Sequence, residues 1–201
     1  MTEKLADCLF ALASFKNRLE PALAVMKRYV QDEDLKWTMS SYMLLTVHGF
    51  LEEWRIFNRL AGTDPSVRRT CEITSAALKR IKSWPGLEPF RNSVLAHTTR
   101  TKEGTLTDIE SLLASFKIPR HAETMLMAEL ANLSAAVALR RHTAVYERAL
   151  REKARLSTPD SLHDFGIKTK GEFISELHAH YSMMIEAQPD LAELIVKHPW
   201  P

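Results

Sequence analysis

The sequence predicts an all-α protein, and three observations carry that prediction. Glycine is scarce, with six in 201 residues, while Leu, Ala and Met are abundant, a composition that favours helices over a turn-rich β fold. Apolar residues recur at helical spacing, as in Met43, Val47, Phe50, Trp54 and Phe57. The Pro and Gly clusters AGTDP, WPGLEP and STPDSLHDFGIKTKG fall between such stretches and not inside them.

The first helix is expected over about Thr2 to Val30, kinked or split at Pro21. The second opens at DEDLKW, where Asp32 or Asp34 can cap free backbone N–H groups, and runs to about Leu60. Its stripe Met43, Val47, Phe50, Trp54 and Phe57 reads as core, with Leu45, Ile56 and Leu60 on another side. His48, Glu52, Arg55 and Arg59 gather on a polar face, and His48, Glu52 and Glu53 are candidate supporting polar residues of a site. A third helix follows from Pro65 to about Ser83, with Pro65 suited to the first turn. A short fourth helix is expected from near Pro89, carrying Arg91 to His97, then a polar loop and a short helix from Asp108. The longest helix is expected over His121 to about Leu156, with Leu126, Leu130, Leu133, Val137 and Ala144 as its inward seam. The clearest linker follows, and a last helix runs from Glu172 to about Ala187. The expected division is therefore residues 1–156 as a helical bundle and 157–201 as a linker and helical appendage.

Apolar residues at 45% and charged residues at 26% describe an ordinary folded domain. A net charge of +2 gives no global basic field, so any anion site must be local. The cysteines, Cys8 and Cys71, form no C-x-x-C pair and read as buried, reduced thiols. Asp7, Lys16 and Arg18 interrupt the N-terminal apolar stretch, which therefore reads as an amphipathic helix and not a signal peptide. No uninterrupted apolar run approaches the roughly 18 residues of a membrane span. The expectation is a cytoplasmic protein with no membrane partner.

Familiar nucleotide and hydrolase motifs are absent: there is no G-x-x-x-x-G-K, G-x-G-x-x-G, G-x-S-x-G or H-E-x-x-H. His178 and His180 are two residues apart, on different sides of a helix, so they do not share a metal. No metal and no cofactor is expected.

The stretch FRNSVLAH, Phe90 to His97, remains. Arg91 near a helix start can hold an anion, Asn92 adds a donor and an acceptor, and Val94 and Leu95 supply a buried side. Six residues correspond to about 600°, so Arg91 and His97 lie roughly 120° apart on a regular helix. Either Arg91 bends round, or a twofold axis pairs the residues of two copies. An imidazole near pH 7 exchanges protons, and a guanidinium stabilises charge growing on phosphate without a metal. Together they suit RNA cleavage by the 2′-hydroxyl, with His97 as general acid or base, Arg91 on the phosphate and Asn92 orienting one or the other. Arg68, Lys79, Lys82, Arg100 and Lys102 are candidate RNA-binding residues around it. Trp84 and Phe90 can stack on bases, although core packing suits two aromatics beside a Pro-rich break better.

At these residues the chain resembles the HEPN superfamily, whose active members carry an R-x4-6-H motif, often with Asn, Asp or His after the Arg. FRNSVLAHTTR is particularly similar to the abortive-infection, AbiU-like branch, where an RNxxLAH form is common, and FLEEWRIFNRL ahead of it is in keeping with that branch. The resemblance covers about Asp34 to Leu156 and does not extend to the C-terminal region. It implies a HEPN-like antiparallel helical bundle with a short motif-bearing helix, here followed by a C-terminal helical extension. It further implies a homodimer with a composite active site and metal-independent endoribonuclease activity on RNA. Such proteins act in phage defence or as toxins, which makes an antitoxin or regulatory protein a further partner. The alternative is a non-catalytic HEPN-like module that binds proteins or nucleotides.

Overall fold

The computed structural model describes residues 2–29, 31–84, 86–90, 121–156, 169–189 and 192. These form seven α-helices and a short 3-10 turn, with no strand among the described residues. The chain divides into two compact units, Met1–Glu152 and Lys153–Pro201.

Helix α1 spans Thr2–Arg28 and continues through Pro21 as one helix. Helix α2 spans Glu33–Arg59, and Asp32 caps it by accepting a hydrogen bond from the Leu35 N–H at 2.9 Å. The 3-10 turn Leu60–Gly62 leads into α3, Pro65–Ile81. Asp64 caps α3 through the N–H groups of Ser66 at 2.8 Å and Val67 at 3.3 Å, and Pro65 occupies the first turn, where its missing N–H costs nothing. Helix α4 is a single turn, Leu87–Phe90, so it opens two residues before the expected start at Pro89. The expected remainder of that helix, the polar loop and the helix from Asp108 lie outside the described residues.

Helix α5 spans His121–Arg141 and α6 spans Thr143–Leu156, so the long helix expected over this stretch is two. The expected seam is also displaced. Leu126 and Leu133 are exposed, at 42% and 58%, whereas Met127, Ala128, Ala131, Ser134, Ala135 and Ala138 are buried. Helix α5 packs against α1, α2 and α3, and small side chains on the shared face let all three backbones approach. By length and composition α5 is also apolar enough to cross a membrane, but here it is the helix common to three packing partners.

The bundle directions follow from side-chain pairs. Ser40 near the start of α2 meets His121 at the start of α5, and Phe57 near the end of α2 meets His142 just past the end of α5. Helices α2 and α5 are therefore parallel. Lys27 near the end of α1 bonds Glu129 in the first half of α5, and Phe10 stacks on Tyr146 beyond it, so α1 is antiparallel to both. Thr70 near the start of α3 reaches His142 and Arg141, so α3 is antiparallel as well. The α2 stripe forms the core as expected: Met43, Val47, Phe50, Trp54 and Phe57 are all buried. Their rings stack in series, with centroids 5.4 Å apart for Phe50–Trp54 and 5.1 Å for Trp54–Phe57.

Gly49 explains a glycine in the middle of a long helix. A Cβ there would lie 2.7 Å from Cε1 of Phe15, so the Phe15 ring on α1 rests directly on the α2 backbone. The glycine gives up about 1 kcal/mol of helix propensity relative to alanine to permit that approach.

The aromatic series ends on His142, whose ring meets Phe57 edge-on at 5.9 Å. Thr70 donates its hydroxyl hydrogen to the Ser66 carbonyl at 2.9 Å, so its oxygen is an acceptor for Nε2–H of His142 and Nε–H of Arg141, both at 3.1 Å. This network holds a neutral imidazole protonated on Nε2. Burial pushes the His142 pKa down, Asp64 opposes that, and Arg141 reinforces it. The unfolded chain therefore binds the proton more readily than the folded one. The stabilising contribution is complete above the ordinary histidine pKa of about 6.5 and is lost as pH falls below it, down to the lower folded pKa. Thermal melts from pH 7.5 to 5.5 are expected to show a falling midpoint that is shallower in His142→Gln. An equal slope in that variant would assign the pH dependence to other groups.

The second unit is described through the end of α6 and α7, Lys170–Ala187. Thr169 caps α7 with a complete capping box, its hydroxyl accepting from the Glu172 N–H and its own N–H donating to the Glu172 carboxylate. His180 pairs with Glu176 and His178 contacts the Tyr181 ring, so the two histidines face different neighbours.

Candidate functional site

Helix α2 presents His48, Glu52 and Arg55 at successive i, i+4 and i+3 steps, which places them along one face. That face is one wall of an open cleft of about 220 Å³. Leu51 lines its α2 side; Lys82 at the α3 C-terminus, Trp84 in the connector and Leu87 and Glu88 of α4 complete it. Arg55 donates to Glu52 at 2.7 Å across one turn of α2. Trp84 packs on the buried Phe90 with ring centroids 5.8 Å apart, fixing the connector against α4. Phe90 is therefore a core residue, and the half-buried Trp84 is the aromatic that faces the cleft.

A second hollow of about 230 Å³ adjoins the first and shares Arg55 and Lys82 with it. It adds Asn58 from α2 and Cys71, Ser75 and Lys79 from α3, with Trp54 and Leu78 at its base. Among the described residues, no carboxylate lines this hollow. Lys79 and Lys82 have no acidic partner among the described residues, and Lys79 and Arg80 in the last turn of α3 also complement its dipole.

The structure thus brings together His48, Glu52 and Lys82 in the first cleft and Lys79 with Lys82 in the second. Glu53 stands elsewhere: it faces the buried Cys8 thiol of α1. Burial, followed by the hydrogen bond and charge of Glu53, pushes the Cys8 thiol up to about 12, which makes it a poor nucleophile. Cys71, expected to be buried, is only partly so, and that partial burial raises its pKa as well. Arg68 donates to the Ala61 carbonyl at 3.2 Å, tying the 3-10 turn to the start of α3, so its fork serves that turn and lies outside both hollows. Arg91, Asn92, His97, Arg100 and Lys102 lie outside the described residues. Trp84, Leu87 and Glu88 were not legible as cleft residues, because their convergence on α2 depends on the path of the WPGLEP connector.

Among the described residues, no group of three or more His, Cys, Asp or Glu is placed to hold a metal ion. The class shown is an all-helical bundle. Comparison with protein-family models, with curated proteins and with solved structures finds no match to this chain.

Proposed function

We propose that the protein is a metal-independent endoribonuclease of the HEPN type, acting as a homodimer in phage defence or as a toxin. The observation that carries this is the motif RNSVLAH itself, which begins at the residue bonded to Phe90. The preceding turn, α4, contributes Leu87 and Glu88 to the cleft that also holds His48, Glu52, Arg55 and Lys82. A guanidinium and an imidazole are the two groups that 2′-hydroxyl attack requires: one to stabilise the pentavalent phosphate, the other to move protons at O2′ or O5′. In the proposed reaction His97 of one copy removes the O2′ proton or delivers one to the leaving O5′, and water or His97 of the second copy makes the complementary transfer. O2′ bonds to phosphorus as the P–O5′ bond breaks, leaving a 2′,3′-cyclic phosphate and a 5′-hydroxyl. Arg91 holds the phosphate oxygens, and Asn92 orients phosphate or imidazole. Two copies of the motif across a dimer axis would complete the site.

The test is cleavage of a mixed RNA substrate by the purified protein in EDTA, with analysis of the ends. Cyclic phosphate ends formed at the same rate with and without EDTA are expected. RNA left intact over a broad pH range, or cleavage that needs a divalent ion, would reject the mechanism. In the first case the non-catalytic interaction or nucleotide-binding module becomes the working description.

A further inference from the structure

We infer that the two adjoining hollows between α2 and the α3–α4 segment form one track for single-stranded RNA, with a base at the Trp84 end and its phosphates at Lys82 and Lys79. This rests on the RNA substrate of the proposed function but not on its cleavage step.

The chemistry changes along the groove. At one end are the Trp84 ring, Leu51 and Leu87, with carboxylates at Glu52 and Glu88. At the other end are Lys79, Lys82 and Arg55 with the neutral donors Asn58 and Ser75, and no carboxylate among the described residues. Arg55 and Lys82 belong to both ends and mark the junction. A nucleotide has the same division: a flat ring whose edge carries N–H donors, joined to an anion. The ring suits the aromatic end, where carboxylates accept from its edge, and the phosphate suits the cationic end.

Each hollow alone is small, and a ligand that uses both must run from one into the other. The first hollow measures about 220 Å³, below the roughly 300 Å³ at which pockets for whole drug-sized ligands begin. It takes one ring, and the shared residues lead the chain into the second hollow. An acidic peptide fits worse, because its repeating charge would meet Glu52 and Glu88. Arg55 is already paired with Glu52, so Lys79 and Lys82 are the lining cations without an acidic partner among the described residues. Both are exposed side chains near the end of α3, so replacing them removes no buried side chain.

The probe is a fluorescent oligoribonucleotide made uncleavable by 2′-O-methylation, so that binding is read apart from cleavage. Lys79→Glu/Lys82→Glu is compared with Arg148→Glu/Arg151→Glu, an equal charge reversal on exposed α6 positions. The groove variant is expected to bind at least about 10-fold more weakly, with the salt slope reduced by about 1.4, the value for two single-strand phosphate contacts. The α6 variant is expected to bind like wild type. Quenching of tryptophan emission on binding is expected to shrink in Trp84→Phe, which keeps an aromatic ring against Phe90. Equal weakening by both charge reversals, no weakening by the groove variant, no binding by wild type, or equal competition by polyglutamate would each overturn the inference. Quenching unchanged in Trp84→Phe would overturn the base position. Binding through the groove without cleavage of ordinary RNA would leave the track standing and remove the nuclease. Cleavage by a groove variant with unweakened binding would do the reverse.

Discussion

His97→Ala is expected to lower RNA cleavage at least about 100-fold while leaving the melting temperature close to wild type. Positioned acid–base groups contribute roughly 100- to 10,000-fold, and the short side chain of alanine leaves no substitute. Arg91→Ala is expected to cost a similar factor, because a lost donor to the developing charge is worth about 100- to 1,000-fold. The two losses should be far from additive, since both residues serve one transition state. The measurement is single-turnover cleavage with excess enzyme, together with circular dichroism and thermal melts of each variant. A large drop in melting temperature with His97→Ala would point to a structural role instead, His97 capping a helix end and Arg91 pairing with an acid such as Glu88. In a heterodimer of one Arg91→Ala and one His97→Ala subunit, recovery of partial activity would establish that the two copies share their sites.

Phe57→Ala is expected to destabilise the bundle by about 3–5 kcal/mol, the usual range for removing a fully buried aromatic ring. Phe57 is fully buried and stands between Trp54 and His142. Its loss removes two ring contacts and opens a cavity beside the imidazole whose neutral form the core maintains. The effect should therefore be larger than for an isolated core phenylalanine, and the pH dependence of stability below about 6.5 should weaken, because solvent reaching His142 lets it protonate in place. Urea denaturation at pH 7.5 and 5.5 reads both effects. A loss below about 1 kcal/mol would mean that the bundle repacks around the gap.

The fold was most legible where large apolar residues and helix periodicity agree. The α2 stripe met both conditions, and Asp32 and Pro65 marked helix starts through chemistry that acts within one turn. In α5 the expected leucine seam and the observed one differ because size and burial part company there. In a helix touched by three others, the residues that face inward are those that let backbones come close, so Ala128, Ala131, Ala135 and Ala138 are core and Leu133 is not. The break at residue 142 is not marked in the sequence, since no Pro or Gly stands there, and the histidine at that position bonds Thr70, 72 positions earlier. The site was legible only in part. His48 and Glu52 were visible as one polar helix face, but the groove needs Lys82, Trp84 and Glu88 brought against that face by a connector whose path no periodicity encodes.

The alanine seam of α5 reverses the usual expectation of which letters are free to drift. Along residues 126–138, leucines at 126 and 133 can change to polar residues with little consequence for packing, while a single added methylene chain at Ala131 or Ala135 would force apart helices that now touch. Sequence divergence in this stretch should therefore look inverted. The bulky positions would vary and the smallest ones would stay fixed, so a distant relative of this chain is better sought by its spacing of small residues than by its leucines.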